Sequence, residues 1–193
     1  MAHALETLLD AADRLRDSDI VFLVLGDGAR KQALQEIARE RRLENVRFID
    51  SVPKADVARY WSLLDVSIIH LRKTDLFTTV IPSKLFECMG MGIPVLHGVA
   101  GESAEIVEEQ GVGVPFEPEN VDQLCDALVS LRNDPDRLKR YQGNCLRASR
   151  RFDRSYLAAE MLQVLEDVAS APVRMRAAAI ADARPPMRVL ILN

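Results

Sequence analysis

Hydrophobic and polar positions along this chain switch repeatedly between two periods. Leu5, Leu8, Leu9, Ala12 and Leu15 recur at helical spacing, with polar residues between them. Residues 20–25 follow as an unbroken apolar run, the mark of a strand buried on both faces. Gly26-Asp27-Gly28 breaks the chain, and 30–42 reads as an amphipathic helix with Leu34, Ile37 and Ala38 inward. The same alternation predicts strands at 46–49, 66–71, 93–96 and 111–115. Between them it predicts helices opening at Pro53 and Pro82 and a short one at 102–109. From Asn120 onward the pattern is helical, over 121–132, 136–149 and 154–169. A low-complexity stretch, 171–186, leads to an apolar run at 187–193 that reads as a strand.

Strand–helix alternation of this kind predicts an α/β, Rossmann-like parallel sheet with helices on both faces. Residues 1–170 are expected to form that domain, 171–186 a linker, and 187–193 an isolated strand-like segment. Such sheets bind ligands at the carboxyl ends of their strands, so the loops after Leu25, Leu71 and Leu96 are where chemistry belongs.

Composition narrows the function classes. The 193 residues carry a net charge of −4, a balance ill suited to general nucleic-acid binding, which draws on neutralised phosphates. No apolar run approaches the roughly 20 residues that span a bilayer, and the first residues show no secretion signal. Cys88, Cys125 and Cys145 are odd in number and widely spaced, a pattern of reduced thiols. A cytoplasmic chain is the expectation. The stretch 132–154 holds eight basic residues against three acidic ones, which allows a peripheral contact with anionic headgroups at the inner membrane face as well as a solvated helix face.

The loop 72–84 is the most informative stretch. Arg72 and Lys73 end a strand, and Ser83 and Lys84 lie in the first turn of the next helix. A helix N-terminus offers unpaired N–H groups and partial positive charge, so it holds phosphate well. Lys84 opposes the helix dipole there, as expected if an anion docks. Glu87 lies one turn on, where a carboxylate is placed to accept hydrogen bonds from vicinal sugar hydroxyls. A solvated loop with a surface glutamate accounts for the same spacing. Gly26, Gly28, Arg30 and Lys31 form a second turn with phosphate-loop character, although it matches neither Gly-x-Gly-x-x-Gly nor a Walker loop. His3, His70 and His97 share no metal-ligand spacing, and no nucleophile elbow or paired glycosidase acids occur.

Leu-Gly-Asp-Gly at 25–28, Pro-Ser-Lys-Leu-Phe-Glu at 82–87, Gly-Met-Gly-Ile-Pro-Val at 90–95 and Gly-Glu-Ser-Ala-Glu-Ile-Val at 101–107 together resemble the donor-binding half of a GT-B glycosyltransferase. The likeness is to the retaining family 4 enzymes of bacterial cell-surface polysaccharide synthesis, and it runs from about residue 4 to 169. It implies a nucleotide-diphosphate sugar, most readily a uridine one, as partner. It implies that Glu87 holds the ribose and that the amides at Ser83 and Lys84 cradle the diphosphate. Arg30, Lys31 and Arg72 become diphosphate partners, and the turn at Val52 a site for the base. Family members bind donor without a metal, so no cofactor is expected. The slot of the first glutamate of the family's Glu-x7-Glu motif, which in the family meets the donor sugar, holds Thr79 here.

The resemblance further implies an acceptor domain and an opening strand of the donor domain that the chain does not match. A chain inactive alone is therefore expected. The segment 187–193 resembles a GT-B opening strand, either the start of a following protein or a strand that returns to the vacant central slot. Two other readings stand beside this one: a non-catalytic fragment that binds nucleotide or a partner, and a nucleotide-sugar epimerase of the same architecture.

Overall fold

The structure, a computed structural model, describes residues 4–170. It divides into two compact units, Met1–Arg150 and Arg151–Asn193. The predicted strand at 187–193 and the linker before it lie outside the described residues.

The first unit runs α1 (Leu5–Arg14), β1 (Phe22–Leu25), α2 (Lys31–Glu40), β2 (Val46–Ile49), α3 (Val57–Trp61), β3 (Ser67–His70), a 3-10 turn (Asp75–Thr79), α4 (Ser83–Met91), β4 (Val95–Gly98), α5 (Glu102–Gln110), β5 (Gly113–Pro115), α6 (Val121–Arg132) and α7 (Pro135–Ser149). Every strand pair is parallel. β1 pairs with β2 from Phe22↔Val46 to Leu25↔Ile49, and β4 lies between β3 and β5. The strands therefore form two sheets, β1-β2 and β3-β4-β5, and among the described residues no strand joins β1 to β3.

Burial of β4 shows why the fold is layered. All four of its residues are buried. Leu96 joins the core that Leu9, Ala12, Leu34, Leu124 and Leu131 build from α1, α2 and α6. His97, one residue on, faces the opposite way, to Ser103 of α5. Helices thus cover both faces of this strand, and its near-continuous apolar sequence is the consequence.

Element bounds depart from the periodic reading where helix ends hold the next residues. Gly92 closes α4 in the left-handed region (φ 69°), and the Ile93 N–H donates to the Cys88 carbonyl at 2.9 Å. That bond, with Pro94 behind it, moves the strand expected at 93–96 to Val95–Gly98. The same device at Gly111 shortens β5, because the Val112 N–H donates to Val107. The helix expected from Pro53 to 64 is only Val57–Trp61, and the loop 72–79 contains the 3-10 turn.

The described part of the second unit contains α8 (Arg154–Ser170). All its residues are exposed, including Leu157, Met161, Leu162, Leu165 and Val168.

Candidate functional site

At the carboxyl end of β3 the chain turns through 71–82 into α4. Leu85, Cys88 and Met89 are fully buried, and this apolar stripe fixes the helix against the sheet. Ser83, Lys84 and Glu87 occupy the opposite, exposed side. Pro82 is the N-cap (φ −64°, ψ 127°) and supplies no side-chain cap, and the first turn carries no acid. By contrast, α6 and α7 are capped: Asn120 accepts from the Gln123 N–H at 3.0 Å and Asp134 from the Arg137 N–H at 2.9 Å. The Leu85 N–H donates to the Pro82 carbonyl at 3.0 Å, and no side chain caps the start of α4. Among the described residues Arg72, Lys84 and Glu87 enter no ion pair.

At the carboxyl ends of β3 and β4 lies a cavity of about 480 Å³, whose lining includes no residue of α4. Arg72, Lys73 and Phe77 line it from the β3 side, Val99 and Ala100 from the β4 side, and Glu117 from beyond β5. Lys73 is anchored twice, its N–H donating to Glu119 at 2.8 Å and its ammonium pairing with Glu117. That pair holds the Glu117 carboxyl below its ordinary range and raises the lysine. Thr79 is exposed, and its hydroxyl donates to the Leu76 carbonyl at 3.2 Å, closing the 3-10 turn. The turn rests on Gly101, the residue before α5. A Cβ built on Gly101 would stand 2.0 Å from the Thr78 carbonyl oxygen, and its φ is +86°. Glycine is required there for both reasons. In the sequence Gly101 stands only as the first residue of the 101–107 motif; its contact with Thr78 is set by tertiary docking.

The turn after β1 is built differently. Gly26 has φ +133°, and the Gly28 N–H donates to the Asp27 carboxylate at 2.7 Å. Lys31, expected to meet the diphosphate, is largely buried and committed to protein acceptors. Its ammonium donates to the Gly26 carbonyl at 2.8 Å, to the Ile49 carbonyl at 3.3 Å and to Asp50 at 2.6 Å. It ties the ends of β1 and β2 together, and the pairing keeps the Asp50 carboxyl low. Arg30 likewise pairs with Glu6 of α1 at 2.6 Å. Val52 is half-buried just beyond β2. Arg72 lies just past β3, and Ser83, Lys84 and Glu87 share the exposed side of α4, while the Arg30 and Lys31 heads are paired with Glu6 and Asp50.

The two strand-end histidines are packing groups. His70 Nε2 accepts from the Glu119 N–H at 2.9 Å, and its ring stacks on Phe116 at 5.8 Å. His97 is fully buried with Nε2 2.8 Å from Ser103 Oγ. Burial pushes its pKa down to about 4. The folded state keeps His97 neutral where the unfolded chain protonates, so stability present above pH 6.5 declines as pH falls toward 4. The loss reaches about 3 kcal/mol at the acid end. Urea midpoints across that range are expected to fall in the parent and to flatten in His97→Gln.

Among the described residues no group of three or more His, Cys, Asp or Glu stands together as a metal cluster, and no helix is long and apolar enough to cross a membrane. A family model described as Glycosyl transferases group 1 matches residues 1–134. This chain belongs to that family. It is 33% identical over 132 residues to the putative colanic acid biosynthesis glycosyl transferase WcaI of Escherichia coli K12, covering 63% of this chain and 30% of the relative. It is 28% identical over 177 residues to the phosphatidyl-myo-inositol mannosyltransferase of Mycobacterium leprae, covering 90% of this chain and 46% of that protein. The chain therefore spans less than half the length of either group 1 relative. A glycosyltransferase from Rickettsia africae superposes with TM-score 0.73 over 89% of this chain and 46% of that one, at 16% identity. The fold is that of the C-terminal half of a GT-B glycosyltransferase, with parallel sheets flanked by helices.

Proposed function

We propose that this chain is the donor-binding half of a retaining, family 4-like glycosyltransferase of surface polysaccharide synthesis. Its ligand is a nucleoside-diphosphate sugar, with uridine the first base to test. One observation supports this reading above the others: the α4 N-terminus is uncapped and exposed at the carboxyl end of β3, with Glu87 free one turn along. The diphosphate docks on the Ser83 and Lys84 amides, with the Lys84 ammonium and Arg72 adding charge. Glu87 accepts from the ribose hydroxyls, and the base lies toward Val52. When the glycosidic bond breaks, negative charge gathers on the leaving diphosphate. Preorganised amides and cations stabilise that charge without a metal.

Transfer requires an acceptor-binding half besides the donor-binding one. Exposed Lys139, Arg140 and Arg147 on α7 give a basic face suited to anionic headgroups at the inner membrane surface. Calorimetric titration of uridine and guanosine diphosphates in chelator-containing buffer tests the reading. Binding of the uridine form, tighter than the guanosine form, is expected. Heat from neither nucleotide would remove the proposal, and tighter guanosine binding would change the base.

A further inference from the structure

Among the described residues two positions other than glycine have positive φ, Arg42 at 54° and Glu119 at 64°. Helix termination accounts for Arg42. It follows the end of α2, where the Leu43 N–H donates to the Ala38 carbonyl at 2.9 Å and the Arg42 N–H to the Arg39 carbonyl at 3.1 Å, the usual left-handed helix close. Glu119 ends no helix. It stands in the turn between β5 and α6, one residue before the Asn120 N-cap. A glutamate there adopts a backbone conformation that glycine or asparagine takes more readily.

The conformation lets Glu119 hold the end of β3 at two points. Its N–H donates to His70 Nε2 at 2.9 Å, and its Oε2 accepts from the Lys73 N–H at 2.8 Å. His70 is the last residue of β3, so only Leu71, which is buried, and Arg72, which is exposed, lie between the two holds. The turn that does the holding is itself fixed. The Glu117 N–H donates to Gln123 Oε1 of α6 at 2.7 Å, and the Glu117 carboxylate accepts from Asn120 Nδ2 at 3.2 Å while pairing with the Lys73 ammonium. Phe116 stacks on His70, and a Cβ on Gly98 would stand 2.5 Å from the Phe116 ring and 2.6 Å from the His70 ring, which leaves no slack beneath.

Stability does not account for a glutamate at this position. Glu119 and Lys73 are both exposed, and exposed contacts of charged side chains contribute little to folding. A glycine would relieve the backbone and forfeit one such contact. Retained strain of this kind marks a place where position matters. What is positioned here is Arg72, which lines the cavity at the carboxyl ends of β3 and β4.

We propose that Glu119 is a positioning residue of the donor site, gripping the chain on either side of Arg72 so that this cation meets the diphosphate. The role rests on the donor-binding reading above.

Uridine diphosphate titrated calorimetrically into the full chain and two variants tests it. Glu119→Gly is expected to bind about fivefold more weakly than the parent, because Arg72 is no longer held from both sides. Its thermal midpoint should stay within about 2 °C of the parent's, since glycine takes φ 64° without strain. Glu119→Gln keeps an oxygen to accept the Lys73 N–H and loses the negative charge, so it is expected to bind at least as tightly as the parent. Hydrogen exchange read by NMR supplies the second measurement: the Lys73 amide should exchange about tenfold faster in Glu119→Gly and at the parental rate in Glu119→Gln. Equal Lys73 exchange in parent and Glu119→Gly overturns the proposal. So does a Glu119→Gly chain that binds as tightly as Glu119→Gln, since the carboxylate would then act by its charge alone. A parent that gives no heat removes the donor site and this role with it, whereas a parent that binds no better than Glu119→Gly removes only this role.

Discussion

Replacing Glu87 with alanine is expected to weaken uridine diphosphate binding about tenfold to a hundredfold, the effect of losing charge-assisted hydrogen bonds to two hydroxyls. The thermal midpoint should stay within about 1 °C, because exposed side chains away from special features contribute little to folding. Glu87 is exposed on α4, while the residues that hold the helix, Leu85, Cys88 and Met89, are on its buried side. Lys84→Ala is expected to act in the same direction with one difference: its contribution is ionic, so its penalty shrinks as salt rises, whereas the Glu87 penalty does not follow salt in that way. Calorimetry at two ionic strengths separates them. Equal affinity in parent and both variants would show that the α4 end is a solvated helix terminus.

Gly101→Ala is expected to affect both binding and stability. The added Cβ would lie 2.0 Å from the Thr78 carbonyl oxygen, and that neighbour is backbone, so no rotamer relieves it. Alanine at φ +86° and ψ −154° is strained as well, by about 1–3 kcal/mol. For a chain of this size the thermal midpoint should fall by roughly 2–12 °C. The 3-10 turn Asp75–Thr79 must move away from α5, carrying the cavity wall at Phe77 and Thr78 with it. Donor affinity should fall further than in Gly28→Ala, where a Cβ meets nothing within 4 Å. A Gly101→Ala chain with parental affinity would show that this turn does not shape the donor site.

Element order was legible because buried parallel strands and amphipathic helices write different periods into sequence. The run 20–25 became β1 and the spacing of 30–42 became α2, each trimmed by a few residues. What the periods do not carry is hydrogen bonding at helix ends. Ile93 looks like a strand residue by composition, yet its N–H closes α4 on Cys88. The site shows the same limit. Ser83, Lys84 and Glu87 share an exposed helix side as their spacing predicts, because that relation is local, within one helical turn. Lys31 was not: whether its ammonium is free depends on Asp50 and Ile49, which reach it only after β1 and β2 pair. Arg30 depends in the same way on α1, through Glu6. Motif resemblance places such cations near a strand end, and only docking of neighbouring elements decides what they hold.

These assignments have consequences for Lys31 in particular. With three oxygen acceptors around one ammonium, its role is to fix the ends of β1 and β2, so Lys31→Met should lower stability more than it lowers nucleotide affinity. The partly buried Gly26 and Ile49 carbonyls left without their donor supply the penalty, since Asp50 is exposed.

The most direct measurement is a crystal structure of the chain with uridine diphosphate. Phosphate oxygens are expected within hydrogen-bonding distance of the Ser83 and Lys84 backbone N–H groups, and ribose hydroxyls on the Glu87 carboxylate. Nucleotide seated elsewhere on the fold, with the α4 N-terminus left to solvent, would contradict it.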